Sequence, residues 1–280
     1  MITDARAPIV GGESIKYLWV ATFAAFLVWS GINPKDQFTW FLEVFPALLG
    51  FALLAVTRHR FKLTPLLYGL ILLHGIVLMV GGHYTYAEVP IFDGLLGSER
   101  NNYDKLGHFF QGFVPALLAR EILIRKDVVN GRVWLAVLVV AICLAFSAFY
   151  ELIEWWVALA SGQGAEAFLG TQGYIWDTQS DMGFALLGAC FSLLLLSYYH
   201  NGQLARLSAA SRVAECPFCG NANSCMVNSA GPCWCVIASV PAGLVDLLPR
   251  HLQRKSCICR ACLDAYHDNP DAFSSSLRNK

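Results

Sequence analysis

Long apolar stretches separated by short polar loops run through the first 200 residues of the chain. A helix needs about 20 mostly apolar residues to cross a hydrocarbon core about 30 Å thick, because it rises about 1.5 Å per residue. The stretches that meet this length lie at residues 15–33, 38–57, 64–82, 104–124, 133–160 and 178–199. Backbone groups in lipid must be hydrogen-bonded within the segment itself, which requires helices. The pattern therefore predicts an all-α fold, a polytopic transmembrane helix bundle of about six spans.

Composition changes abruptly after residue 200. The chain as a whole is 56% hydrophobic and 14% charged, against roughly a quarter charged residues in soluble domains. Its net charge is zero, so no nucleic-acid partner is expected. The polar C-terminal part holds eight of the ten cysteines. We therefore expect a transmembrane domain at 1–200, a linker at 201–213, a small cysteine-rich domain at 214–265 and a flexible tail at 266–280.

Lys and Arg are distributed unevenly over the loops. Eleven lie in the N-terminal segment, the second and fourth loops (Arg120 in the fourth) and the start of the C-terminal part, whereas three, Lys35, Arg100 and Lys105, lie in the alternate loops. Because cytoplasmic loops carry the excess of these residues, both termini are predicted in the cytoplasm. The loops at 83–103 and 161–177 then face the other side. No small-residue cleavage site follows the first apolar run, which is expected to be a retained span.

Ionisable residues within the predicted spans form three pairs. Such residues are costly in lipid and usually mark function. The pairs are Asp104 and His108, Glu151 and Glu154, and Asp177 and Asp181. Each pair is spaced i,i+3 or i,i+4, so both members lie on one helix face. The predicted topology brings all three pairs to the outer face as one candidate catalytic or binding site, supported by His83, Lys105 and Gln111.

The predicted cluster could act in several ways. Carboxylates and an imidazole can bind a divalent metal such as Mg²⁺, Mn²⁺ or Zn²⁺. They can also hold a polar lipid head group, with Lys105 pairing its phosphate, or move protons. A purely structural network, with Asp104 capping its helix, is the alternative. Glu43 could join the cluster, and His74 is interpreted as a packing histidine.

Three classes of function remain open at this stage. The first is an enzyme or binding protein for an envelope lipid or polyprenyl head group, with membrane lipids as partners and a divalent metal as candidate cofactor. The second is a transporter or proton pathway, which is disfavoured because the inner halves of the fourth to sixth spans are almost wholly apolar. The third is a membrane anchor for a regulatory zinc module. Whether the protein is an enzyme stays open.

Three segments of the predicted bundle carry a resemblance to a known family. They are Tyr103-Asp-Lys-Leu-Gly-His-Phe-Phe, Ser147-Ala-Phe-Tyr-Glu-Leu-Ile-Glu-Trp and Trp176-Asp-Thr-Gln-Ser-Asp-Met-Gly. In this order they resemble the YjdF family of bacterial inner-membrane proteins over nearly all of residues 15–200. They are similar, more distantly, to the VanZ-like proteins. The resemblance implies a multi-pass protein of the bacterial inner membrane and supplies no reaction.

Eight cysteines crowd the predicted C-terminal module. They are Cys216, Cys219, Cys225, Cys233, Cys235, Cys257, Cys259 and Cys262. The cytoplasm keeps thiols reduced, so the predicted orientation favours metal ligation over disulfides. Two Cys₄ zinc sites would use all eight, and the metal would supply folding energy that so short a segment cannot obtain from a core. An iron–sulfur cluster is the alternative, and the pairing of the ligands stays ambiguous.

The same region resembles a second family, cysteine-rich CWC, over about residues 214–265. The resemblance rests on the Cys216-Pro-Phe-Cys-Gly start, the Cys233-Trp-Cys core and the Cys257-Ile-Cys-Arg-Ala-Cys-Leu end. It implies no activity, and zinc binding is inferred from the cysteine spacing alone. Residues 236–248 are apolar, and we expect them either to pack on the zinc module or to touch the membrane surface.

Overall fold

The computed structural model shows helices arranged in two compact units, which divide between Gln203 and Leu204. The residues it describes are 12–92, 100–161, 172–223, 234, 238–249, 252–253 and 256–278. Within these ranges the chain forms helices and turns but no strand. The predicted all-α class is therefore confirmed.

The first unit is a bundle of long helices. They are α1 (Gly12–Gly31), α2 (Gln37–Thr57), α3 (Pro65–His83), α4 (Tyr103–Arg125), α5 (Arg132–Ser161) and α6 (Asp177–Ala214), and the last part of α6, from Leu204, belongs to the second unit. Five of these described helices, all except α4, are long and apolar enough to cross a membrane. Helix α4 coincides with the fourth predicted span, but its charged residues make it too polar to be identified by composition.

Helix α4 is an inner helix of the bundle. It packs on α3 and α5, and about half of its residues are buried. Asp104, Arg120 and Glu121 of this helix are buried in protein, which is the arrangement expected of ionisable residues at membrane depth. The number of long helices agrees with about six spans, whereas composition alone identifies five of them.

Helices α4 and α6 cross with their backbones in contact. A Cβ atom at Gly112 would overlap the carbonyl group of Ala185, and a Cβ atom at Gly188 would overlap that of Phe109. Glycine at both positions allows this close approach, as is common between helices in membranes. The crossing fixes how the first turns of α4 and α6 lie against each other.

The start of helix α2 is set by Asp36. Its carboxylate accepts a hydrogen bond from the backbone N–H of Thr39 at 2.7 Å, which caps the helix. The cap lies at the same end of the bundle as the end of α3 and the start of α4. Glu43, in the second turn of α2, therefore lies near the first turns of α4.

The opposite end of the bundle holds a second buried network. Arg120 and Glu121 of α4 are 6% and 0% exposed, and His200 of α6 is 0% exposed. His200 Nε2 lies 3.1 Å from Glu121 Oε2, and Arg125 donates to Glu121 Oε1 at 2.7 Å. The hydroxyl of Thr64, at the start of α3, donates to the same carboxylate at 2.9 Å. The network joins α3, α4 and α6.

Two sequence interpretations are corrected at this end of the bundle. Arg120 is buried rather than a loop charge, and ten Lys and Arg residues still lie on the predicted cytoplasmic side without it. The inner half of the fourth span was expected to be almost wholly apolar, but it carries Glu121, which pairs with His200 just after the sixth predicted span. The spacing of residues along one helix does not show which residue of another helix lies opposite. The pair of Glu121 and His200 was therefore not predicted.

The second unit is a small module with its own core. Its helices are α7 (Ala242–Asp246), α8 (Arg260–Asp268) and α9 (Pro270–Arg278). Leu244 and Leu248 are buried in a cluster that includes Cys216 and Cys262. The described part of the apolar segment 236–248 therefore packs on the cysteine-rich module.

Two segments differ from their predicted character. The expected linker at 201–213 is helical and continues α6 to Ala214. The expected flexible tail from residue 266 belongs largely to α8 and α9. Phe273 of α9 meets the ring of Phe218 edge-on, with the ring centroids 5.3 Å apart, and this contact anchors the helix on the module.

Candidate functional sites

The three predicted pairs meet at one end of the bundle, where α4 and α6 begin and α5 ends. All six side chains are buried, each at most 9% exposed: Asp104, His108, Glu151, Glu154, Asp177 and Asp181. The members of each pair are about one turn apart and so share a helix face. The structure thus brings together groups from three helices.

His108 lies at the centre of this polar cluster. Its Nε2 is 3.4 Å from Asp104 Oδ1, and its Nδ1 is 3.0 Å from Gln111 Oε1 and 3.8 Å from Glu151 Oε1. Because an amide carbonyl oxygen only accepts, Nδ1 carries a proton and donates a hydrogen bond to Gln111. Nε2 and the Asp104 carboxylate then face each other, so a proton or a metal ion has to lie between them.

Arg100 joins the starts of α4 and α6. Its guanidinium lies 3.3 Å from Asp104 Oδ2 and makes a close ion pair with Asp177. Its side chain is only 10% exposed. Arg100 is one of the three basic residues that the loop pattern assigns to the outer loops, and its place in the cluster was not predicted. The available signal was its i,i+4 spacing from Asp104, the same spacing that identified the three pairs.

A cavity of about 430 Å³ adjoins the polar cluster. Its polar lining includes Glu43, His74, Asp104, His108, Gln111 and Glu154, and the rest of its lining is largely apolar. Glu43 is 7% exposed, so the option that it joins the cluster agrees with its position. The network residues Arg120, Glu121 and His200, at the other end of the bundle, do not line this cavity.

The supporting residues differ in where they lie. Gln111 contacts His108 directly. His83 instead lies against α1, with its Nδ1 3.0 Å from the carbonyl oxygen of Ser30. The ammonium group of Lys105 lies 5.4 Å from the ring centroid of Tyr174 and makes a cation–π contact. Sequence position could not show which of these side chains turn inward.

His74 faces the cavity from the middle of α3. Its Nε2 is buried and has no hydrogen-bond partner among the described residues. The ring packs against Phe110, with the ring centroids 6.3 Å apart, and lines the cavity.

Three side chains of the cluster fit a metal ion. One ligand atom from each of Asp104, His108 and Asp181 lies within 4.8 Å of the others. Carboxylate and imidazole ligands suit divalent cations such as Mg²⁺, Mn²⁺ and Zn²⁺. The surrounding carboxylates also outnumber Arg100 and His108, the basic groups that contact them in the described structure. A buried excess of acid requires protons or a bound cation.

The C-terminal module brings four cysteines together: Cys216, Cys219, Cys259 and Cys262. Their sulfur atoms all lie within 4.8 Å of one another, so they could hold one metal ion. Cys257, although described, is not part of this set. Cys225, Cys233 and Cys235 lie outside the described residues, so a second site stays a prediction.

The turn at Cys216 is shaped as a metal-binding knuckle. Gly220 donates its N–H to the carbonyl of Cys216 at 2.8 Å and has a φ of +73°, a conformation that favours glycine. Burial raises the pKa of the Cys216 thiol, but backbone N–H groups of Cys259, Phe218 and Cys219 outweigh it and lower the pKa to about 7. The thiolate is the form that binds metal.

The fold and the two clusters define a class: a multi-pass helical membrane protein that carries a small cysteine-rich module. Residues 15–202 match the family described as predicted membrane protein (DUF2238), and residues 216–264 match the family described as cysteine-rich CWC. The chain belongs to the DUF2238 membrane-protein family. Both matches confirm the resemblances found in the sequence.

One curated relative is the inner membrane protein YjdF of Escherichia coli (strain K12). It is 57% identical to this chain over 188 residues, which cover 66% of this chain and 90% of the relative. Together with the apolar helices, this similarity supports a multi-pass location in the inner membrane. No solved structure matches the chain. The more distant VanZ-like resemblance stays a prediction.

Proposed function

We propose that the bundle binds the phosphate-bearing head group of an envelope lipid through a divalent cation. Asp104, His108 and Asp181 supply the cation ligands, and Gln111 orients the imidazole. The opposed Nε2 of His108 and carboxylate of Asp104, 3.4 Å apart, carry the proposal, because a metal ion that binds both would occupy the position between them that a proton otherwise fills. A metal ion in this position also offsets the surrounding carboxylates.

Phosphate requires a positive partner, and the cluster is acidic. A divalent cation resolves this conflict because it is attracted by the carboxylates and leaves coordination positions for phosphate oxygens, as Mg²⁺ and Mn²⁺ sites commonly do. Arg100 adds a fixed guanidinium beside Asp104 and Asp177. The cluster therefore combines an acidic cradle for the metal with one group able to contact a phosphate directly.

The proposal includes an orientation. With both termini in the cytoplasm, the polar cluster opens toward the outer leaflet and the cysteine-rich module stays in a reducing compartment. Cys216, Cys219, Cys259 and Cys262 then bind zinc rather than form disulfides. The proposed orientation assigns the two sites to separate processes.

A metal titration tests the site in the bundle. Purified full-length protein in detergent, stripped of loosely bound metal, is titrated with Mn²⁺, and free Mn²⁺ is followed by electron paramagnetic resonance. Mn²⁺ reports on oxygen and nitrogen ligands because thiolate sites prefer zinc. We expect one Mn²⁺ per chain, and an affinity at least tenfold weaker in Asp181→Asn.

The matched control is Glu88→Gln. Glu88 pairs with Lys35 at 2.7 Å on the exposed side of the structure, with both side chains more than half exposed. This variant removes a carboxylate without touching the cluster and should bind Mn²⁺ as the wild type does. Equal Mn²⁺ affinity in Asp181→Asn and the wild type would refute the proposal and leave a structural network in its place.

A further inference from the structure

The cavity beside the polar cluster opens toward the membrane. Phe45 and Leu49 of α2 and Phe146 and Phe149 of α5 line it, and each of these side chains is about half exposed, at 50–51%. Helix α2 packs on α3, and α5 packs on α4. The two helices thus form facing walls, and residues of both walls belong at once to the cavity and to the lipid-facing surface.

Polarity changes along the cavity in one direction. Glu43, Asp104 and Glu154 line the end where the helices begin or end, whereas Gly50 and Phe51 line the part nearer the middle of α2. Glu43 and Gly50 are seven residues apart, which is about 10 Å along a helix. The cavity therefore runs from a charged end near the membrane surface into the hydrocarbon region.

Its volume indicates how much hydrocarbon it can hold. About 430 Å³ provides room for roughly a dozen groups the size of a water molecule, at about 30 Å³ each. A methylene group has a similar size. A single chain of about a dozen carbons uses this space in full, whereas each of two parallel chains would be limited to about half that length.

We infer that the cavity holds the first part of the single hydrocarbon chain of a lipid phosphate, which enters laterally between α2 and α5. The inference rests on the proposed function for the head group, which the cluster of Asp104, His108 and Asp181 would hold. It adds the class of lipid and the route of entry. The half-exposed aromatic residues Phe45 and Phe149 form the two sides of this lateral opening.

Two glycines offer a matched test. A Cβ atom at Gly50, which lines the cavity, meets nothing within 4 Å, and the same holds at Gly69 of α3, which does not line it. Leucine at either position is a better helix former than glycine. In Gly50→Leu the Cβ atom enters open space and the rest of the side chain takes up part of the cavity, whereas Gly69→Leu adds the same side chain elsewhere.

The probe is a prenyl monophosphate that carries a photoreactive diazirine on its chain. Full-length protein in vesicles of phosphatidylethanolamine and phosphatidylglycerol is irradiated with Mn²⁺ present, and labelled peptides are mapped by mass spectrometry. We expect labels on the cavity-facing residues of α2 and α5. The yield should fall at least fivefold in Gly50→Leu and stay unchanged in Gly69→Leu.

Other outcomes decide against the inference. Equal labelling in the wild type and Gly50→Leu would show that the chain lies on the outer surface of the bundle and would overturn it. A parallel arm uses phosphatidylethanolamine with the diazirine on one acyl chain. If this two-chain lipid labels the cavity as efficiently as the prenyl phosphate, the single-chain assignment fails.

The same samples separate this inference from the proposed function. Gly50→Leu leaves the cation ligands in place and should bind Mn²⁺ like the wild type. If Mn²⁺ binds normally and the labelling yield is the same in Gly50→Leu as in the wild type, the site for the hydrocarbon chain is refuted and the cation site is not. Labelling that depends on Gly50 in a protein that binds no Mn²⁺ would refute the proposed cation and leave the chain site standing.

Discussion

His200 is held by two neighbours that fix where its ring proton lies. Arg120 Nη1, which can only donate, lies 3.0 Å from His200 Nδ1, so Nδ1 accepts. Nε2 must then carry the proton and donate a hydrogen bond to Glu121 Oε2 at 3.1 Å. His200 therefore joins a buried guanidinium to a buried carboxylate, with one hydrogen bond at each of its ring nitrogens.

Glu121 should be the most costly residue of this network to remove. In Glu121→Ala, Arg125, His200 and the Thr64 hydroxyl lose a buried acceptor, and breaking a buried pair costs about 3–5 kcal/mol. We expect a marked fall in the thermal unfolding temperature in detergent.

The exposed pair of Lys35 and Glu88 is the reference for that measurement. Its side chains are 53% and 55% exposed, so Glu88→Gln should cost less than about 1 kcal/mol. If both variants unfold at the same temperature, the network at Glu121 does not stabilise the bundle.

Gln111 should act on the metal through His108. It accepts from His108 Nδ1 at 3.0 Å and so turns Nε2 toward Asp104. Removing such a partner of a metal-binding histidine typically costs 10–100-fold in affinity. We expect Gln111→Ala to weaken Mn²⁺ binding about tenfold and Gln111→Glu, which keeps the acceptor, to restore most of it. Unchanged affinity in Gln111→Ala would exclude this positioning role.

At the scale of elements, the crossing of α4 and α6 sets the geometry of the polar cluster. His108 and Gly112 are one turn apart on α4, and Asp181 and Ala185 are one turn apart on α6. Because Gly112 meets the backbone at Ala185, the two helices are as close as their backbones allow. The side chains one turn away, His108 and Asp181, are thereby brought together.

Leucine at this crossing should separate the two helices. In Gly112→Leu the side chain would overlap the α6 backbone, so we expect destabilisation by more than about 3 kcal/mol and weakened Mn²⁺ binding. Gly183→Leu is the control, because a Cβ atom there meets nothing within 4 Å. Thermal unfolding and Mn²⁺ titration of both variants measure the difference. A stable Gly112→Leu protein with normal Mn²⁺ affinity would contradict this account of the crossing.

For the whole molecule, orientation decides what each cluster meets. We expect a fluorescent protein fused after Lys280 to fold and fluoresce in the cytoplasm, and alkaline phosphatase inserted in the loop 161–177 to be active on the other side. This follows from the excess of Lys and Arg on the side of the termini. The reverse pattern would put the polar cluster at the inner leaflet and the cysteines in an oxidising compartment.

The two compact units should respond independently to loss of the cysteine cluster. Cys216→Ser combined with Cys262→Ser removes two of four grouped thiolates, so the full-length protein should lose at least one zinc per chain by elemental analysis. Unfolding of the bundle should stay at the wild-type temperature. Wild-type protein without zinc would refute the zinc assignment, and a shifted bundle transition would refute independence.

Much of the fold could be predicted from the sequence. Apolar runs of span length identified the long helices, because a helix in lipid must be both long and apolar. Spacing of i,i+3 and i,i+4 identified the pairs around Asp104, Glu151 and Asp177 that the bundle brings together. The cysteine spacing identified the module, although it did not show which cysteines group with Cys216.

By itself, the sequence determined the number of long helices, the faces that carry acids and the position of the cysteine-rich module. These follow from local periodicity and composition, which depend only on residues near one another in the chain. Only the tertiary structure decided that Arg100 completes the polar cluster, that Glu121 meets His200 and that Cys216 and Cys219 group with Cys259 and Cys262. Such partners depend on how the elements pack against one another, and contacts between distant segments, such as the glycine crossing of α4 and α6, set that packing.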